Sequence, residues 1–286
     1  MLVNIRQNVT EIPLSSPDYP LAWKELSDPP ETLYALGDIS LLQGRKFAIV
    51  GSRRTPQNAM KLGEKIAKTL SQAFVILTGT ADGGDTAAIE GALQGSGRVI
   101  CLLAGGFSAL PQYNLALLEK VAKKGLILSP HPYETEVRAF SYEYRNKLLA
   151  KLCEGLLVLS AGEKSGALIT ARHAQAFKKP VFALPYPPNS SSGSGCNALI
   201  KKGGYLTESA ADVAEKYSVD ITEKKKECTL SPDEQKLYEA LQEGEAHATE
   251  LAQKTGIPVF KLRAVLSSLE VKGVVVSLGG NRYAAV

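Results

Sequence analysis

The chain has 286 residues, 44% of them hydrophobic, enough for one large domain with a small one, or for two ordinary domains. Thirty-three Lys and Arg stand against 29 Asp and Glu, and the net charge of +4 suits a polyanion ligand without demanding one. The four cysteines stand singly with no CxxC pair, which argues against a zinc site or a disulfide framework, and no apolar run approaches the roughly 20 residues of a membrane span. With no signal-like start, the expectation is a soluble protein of a reducing cytoplasm, with no membrane role.

Residues 1–44 are proline-rich and weakly periodic, and read as a short helix and extended segments that pack on the domain following them. From residue 45 to 218, short apolar runs ("FAIV", "FVIL", "VICLL", "LILS", "LLVLS", "VFAL") alternate with stretches of helical period. That alternation predicts an α/β domain, a doubly wound, mostly parallel sheet covered on both faces. The first helix shows the period well, with Ala59, Leu62, Ile66 and Leu70 in one stripe, and the next is expected to begin at Asp85, whose carboxylate would cap its free amides. "PPNSSSGSG" (187–195) reads as a mobile loop, and the lysine-rich 219–229 as a linker. In 230–286 three short amphipathic helices and a hairpin about Gly279-Gly280-Asn281 follow the order of a winged helix-turn-helix, with 258–272 in the recognition-helix place.

The chemistry is concentrated where strands end. "VGSRR" stops a strand at Gly51 and enters a helix, leaving the first amides of that helix free for an anion; Ser52 adds a hydroxyl and Arg53 a planar fork that fits phosphate oxygens. A tight turn with solvated arginines is the plain alternative. The GxGxxG and Walker spacings are absent. In a parallel sheet the loops "TGTADGGD", "LAGGF", "SAGEKSGALIT" and "LPYPPNSSSGSGCN" gather at the same edge, and several cradles in a row suit a chain of phosphates. In "RAFSYEYRNKLLAKL" Phe140, Tyr142 and Tyr144 alternate among Arg138, Arg145, Lys147 and Lys151, a pattern that serves base stacking beside phosphate contacts or, equally, ordinary packing.

The motifs "PPETLYALGD", "VGSRR", "TGTADGGDTAA", "RNKLLAKLCEGLLVLSAGEKSGALITARHA" and "GCNALIKKGG" resemble the DNA-processing protein A (DprA/Smf) family over residues 11–210, and more loosely beyond. The resemblance implies an extended Rossmann-like domain that binds single-stranded DNA, forms a homodimer, and hands the strand to the RecA recombinase during natural transformation. It further implies DNA contacts at Gly51, Ser52 and Arg53; at Phe140, Tyr142, Arg145, Asn146 and Lys147; at Lys164, Ser165, Gly166 and Thr170; and at Gly195 and Asn197. The chain departs from the family pattern at Asp82, at Glu143 where a proline is usual, at "SP" in place of "SE" after the fifth strand, and in having no helical-hairpin module before residue 11.

Catalysis is not expected, nor a cofactor or metal: His131, His173 and His247 are scattered, and Asp85 reads more simply as a cap than as a ribose or magnesium ligand. Two rivals remain. A related phosphoribohydrolase would carry a glutamate after its PGG loop, whereas here Glu163 precedes the glycine; a small-nucleotide sensor would use the same cradles as a pocket. The winged module, with only Lys261, Arg263 and Lys272 on its third helix, suits a protein partner or autoregulation at least as well as duplex DNA.

Overall fold

A computed structural model describes residues 8–221, 230–272 and 274–285. Contacts divide the chain into two compact units, Met1–Thr222 and Glu223–Val286. The expected linker lies mostly outside the described residues.

Seven strands of the first unit are parallel: β3 (Lys46–Val50), β4 (Val75–Thr78), β5 (Val99–Leu102), β6 (Leu126–Ser129), β7 (Gly155–Val158), β8 (Val181–Ala183) and β9 (Tyr205–Leu206). β3 to β8 are buried along their whole length, which is why they read as continuous apolar runs rather than as alternations. The N-terminal stretch contributes more than packing. β1 (Thr10–Pro13) and β2 (Thr32–Gly37) pair antiparallel and extend the sheet beyond β6, giving the order β1-β2-β6-β5-β4-β3-β7-β8-β9. Between β1 and β2 the single-turn α1 (Leu21–Lys24) buries Trp23, whose indole donates to the Leu148 carbonyl at 2.8 Å.

Alternate residues of each strand serve opposite cores. Phe47, Ile49, Ile76, Cys101 and Leu157 face α2 (Gln57–Leu70), α3 (Gly84–Gln94), α4 (Leu115–Lys124) and α8 (Ala210–Tyr217). Ala48, Val50, Leu77, Leu102 and Val158 face α5 (Ala139–Leu152), α6 (Gly166–Ala176) and α7 (Ser194–Lys201). Each fully buried Leu, Ile or Phe contributes about 1.5–3 kcal/mol, so truncating Phe47, buried against Phe74 and Phe182, would cost roughly 3–5 kcal/mol.

The second unit has α9 (Pro232–Gln242), β10 (Ala246–His247), α10 (Ala248–Thr255), α11 (Val259–Val271), β11 (Val275–Gly279) and β12 (Arg282–Ala285). It is a winged helix in the expected order, with one short strand added beside the hairpin. Positive φ at Gly279, Gly280 and Asn281 builds the turn.

Candidate nucleic-acid interface

The strand order reverses between β3 and β7, and the loops that leave their C-terminal ends part to form a cavity of about 710 Å³. Its first wall is the turn after β3. Gly51 lies against Gly84 at the start of α3, so close that a Cβ on Gly51 would stand 2.8 Å from the Gly84 Cα. Gly83, at φ +80°, turns the chain into that helix. Arg53 and Arg54 project from the turn, exposed, into the cavity mouth, and Lys164 faces them from the loop after β7. Ser191 and Ser192, from the segment expected to be a mobile loop, close another side, with Ser160 Oγ donating to the Ser192 carbonyl at 2.9 Å.

The amides of this rim are largely committed. The Ser52 amide donates to the Ser160 carbonyl at 2.9 Å, tying the β3 turn to the β7 turn. The Gly51 amide donates to Asp85, and the Ser165 amide closes a turn on the Gly162 carbonyl at 3.0 Å. Those three amides are therefore taken up by internal bonds and are not free for a phosphate. Gly166 differs: it opens α6 with free space where a side chain would be. For an anion the rim offers the cations Arg53, Arg54 and Lys164, the hydroxyls of Ser52 and Ser165, and the α6 N-terminus. The exposed Glu163 also lines the cavity, whereas Asp82 does not and instead accepts from the Gly83 amide at 2.8 Å.

Asp85 is not a helix cap. Gly83 holds the cap position of α3, and Asp85, one residue into the helix, reaches back to accept from the Ala81 amide at 3.2 Å. It lies on the cavity floor with Arg145, Asn146 and Thr170, all four buried. Burial pushes the Asp85 carboxyl above its ordinary range, opposed by the Arg145 charge and the amides of Ala81 and Gly51; burial likewise lowers Arg145.

The run of alternating aromatics forms the start of α5, and a helix sends residues two apart to different faces. Tyr142 lines the cavity, with the Arg53 guanidinium 5.6 Å from its ring centre. Phe140, 66% exposed, lies outside the lining, so of the two rings named as DNA contacts it is Tyr142 that stands in the wall. Tyr144 packs at 5.9 Å against His131 and donates to the Asp28 carbonyl at 3.2 Å. Lys147 also falls outside; burial depresses the His173 ring, opposed by the Glu143 charge, and the charges of Lys147 and Arg172 add to the depression. Gly195 and Asn197 brace the neighbouring loop instead: the Gly195 amide donates to the Ala161 carbonyl at 2.8 Å, and the Asn197 side chain donates to the Tyr186 carbonyl at 2.9 Å and accepts from the Tyr186 amide at 3.0 Å.

A smaller cavity of about 50 Å³ adjoins the first, sharing Arg53, Tyr142 and Arg145 and adding Tyr113 from the loop after β5. Tyr113, 63% exposed, escaped the sequence reading; its one signal was a large ring two residues after a proline in a strand-end loop, "PQYN". Among the described residues no three His, Cys, Asp or Glu side chains gather as a metal site, and no helix is long and apolar enough to cross a membrane.

The model of the DNA recombination-mediator protein A family matches residues 11–218, and that of the DprA winged helix domain residues 222–281. The chain belongs to the DprA/Smf family. It is 36% identical over 212 residues to the DNA processing protein DprA of Bacillus subtilis, covering 73% of this chain and 71% of that one. The crystal structure of DprA from Streptococcus pneumoniae superposes with a TM-score of 0.70 at 33% identity, over 73% of this chain and 75% of that one. DNA processing protein A from Helicobacter pylori, solved for its single-stranded DNA binding mode, gives a TM-score of 0.66 at 31% identity, over 73% and 96%. Membership of the DprA/Smf family gives the chain a role in DNA processing, and the doubly wound fold and the winged helix are the family's own.

Proposed function

We infer that the cavity between β3 and β7 holds single-stranded DNA, chiefly through its phosphates, and that the protein binds the strand without reacting on it. The observation that carries this reading is the grouping of Arg53, Arg54 and Lys164 about one mouth, with the Tyr142 ring beside Arg53. Cations that meet phosphates next to a ring that stacks on a base are the two parts of sequence-tolerant strand binding. The DNA-contact set is Arg53, Tyr142 and Lys164 with the Ser52 and Ser165 hydroxyls and Gly166; Arg145, Asn146 and Thr170 form the floor beneath it.

Delivery of the strand to RecA, and a homodimer, are proposed from the family resemblance. The open edge of β9, with Tyr205 and Leu206 41% and 49% exposed, is a surface that a second copy would cover. The domain limits proposed are an extension to residue 44, a Rossmann-like domain to 218 and a winged helix from 230.

The test is a titration of the full chain with thymidine monophosphate and with oligothymidylates of increasing length. Affinity that rises with length supports the reading. A monophosphate bound as tightly as any strand favours a nucleotide sensor, and release of ribose 5-phosphate from adenosine monophosphate, supplied in a parallel assay, favours the hydrolase.

A further inference from the structure

Under the cavity lies a buried charge pair that rim contacts leave unused. Asp85 and Arg145 are 4% and 7% exposed, and both reach the floor. They arrive from different elements, α3 and α5, and meet beside Gly79, where a Cβ would overlap both Arg145 Nη1 and Asp85 Oδ2. The carboxylate also holds the amides of Ala81 and Gly51, the turns after β4 and β3. Arg145 Nη1 donates to the Leu102 carbonyl at 3.1 Å, but its buried Nε has no acceptor among the described residues.

A carboxylate at the floor of an anion site opposes the ligand, so its presence needs a reason. A guanidinium buried without a partner is costly, and a nearby carboxylate offsets that cost. A bound phosphate would do the same from the other side. We propose that Asp85 is a positioning residue for Arg145: it is the resident counter-ion of the guanidinium in the empty cavity, and a phosphate of the bound strand takes up part of that role. This rests on the single-strand reading of the cavity.

As long as the pair is intact the floor is close to neutral, and the salt dependence of binding comes from the exposed Arg53, Arg54 and Lys164. Breaking the pair from either side then has opposite effects. Asp85→Asn keeps an oxygen for the turn amides and removes the opposing charge; it should tighten binding of an oligothymidylate of about 15 nucleotides and steepen the salt slope by about 0.7, the share of one phosphate on a single strand. Arg145→Gln leaves the carboxylate facing the phosphate and should weaken binding by roughly tenfold or more at low salt. The double variant should return to within about twofold of the parent, a signature that a double-mutant cycle reads directly.

If both single variants weaken binding and the double is no better than the weaker of them, Asp85 is only a brace for the turns and the proposal is overturned. Thermal unfolding establishes that each variant is folded. If one is not, the parent protein carries the test: the Arg145 Nε–H resonance should shift, and its solvent exchange slow, as oligothymidylate saturates the cavity, and a resonance that stays put while others saturate overturns the proposal. A parent that binds no strand removes the single-strand reading itself, and the proposal with it; a parent that binds, with Arg53→Ala weakened as expected but without opposed effects at Asp85 and Arg145, overturns only the proposal.

Discussion

Two parts of this chain have shapes that hold nucleic acids, the loop edge of the nine-stranded sheet and the third helix of the winged unit, and their surfaces differ in kind. At the sheet edge, cations, hydroxyls and a ring converge on one concave space, over a floor of buried polar groups. On α11 the first turn exposes Val259 and Phe260, 58% and 80%, and the cations Lys261 and Arg263 stand beside them on a convex helix. A duplex reader neutralises many phosphates, and an apolar leading turn does not supply that.

The largest expected effect belongs to the sheet edge. Arg53→Ala removes a charged fork from the cavity mouth and should cost about 1.5–3 kcal/mol of oligonucleotide affinity, with the salt slope reduced by about 0.7. Equilibrium titration across a salt series reads both. Tyr142→Ala should cost about 1–3 kcal/mol with an unchanged slope, because stacking releases no ions, while Phe140→Ala should cost less than Tyr142→Ala. A reversed order would return the stacking role to the exposed ring.

Gly84→Val would press a side chain into the Gly51 backbone and should destabilise the α/β unit by about 1–3 kcal/mol, seen as an earlier thermal transition. In the winged unit, Lys272, the Ser231 amide and the Ser268 hydroxyl hold the Glu234 carboxylate at about 2, below its ordinary range. The unfolded chain takes up that proton near pH 4.3, so this stabilisation is complete above that point and is lost as the pH falls toward 2. A pH series of unfolding curves, flattened by Glu234→Gln, checks it. Smallest of all, Phe260→Ala should leave oligonucleotide affinity within about 0.5 kcal/mol of the parent. A larger loss would bring α11 into the strand's path and weaken the contrast between the two surfaces.

The parallel sheet was legible because each strand, buried on both faces, announces itself as an apolar run, and the winged helix because its helices keep their period and its hairpin turns at Gly279-Gly280-Asn281. β1 and β2 were harder, since outer antiparallel strands with partly exposed residues leave no such run. At the site, Gly51, Ser52 and Arg53 could be found from a strand that ends on glycine before a helix. What became of their amides could not, because the acceptors Ser160 and Asp85 arrive from distant turns. The aromatics of 140–144 show the limit of periodicity: their alternate spacing suited stacking or packing alike, and "NKLLAKL" continued the segment as a helix that split the rings. Asp85 looked like a cap from its place at a helix start, and only the packing of α5 against the sheet gave it Arg145 as a neighbour.

The central claim is that phosphate contact at the β3–β7 cavity governs binding, and the salt dependence of oligothymidylate affinity tests it most directly. Three exposed cations at the mouth predict a logarithmic slope near −2, from about −0.7 for each phosphate met, with single strand preferred over duplex. An affinity indifferent to salt, or equal for duplex and single strand, would contradict it.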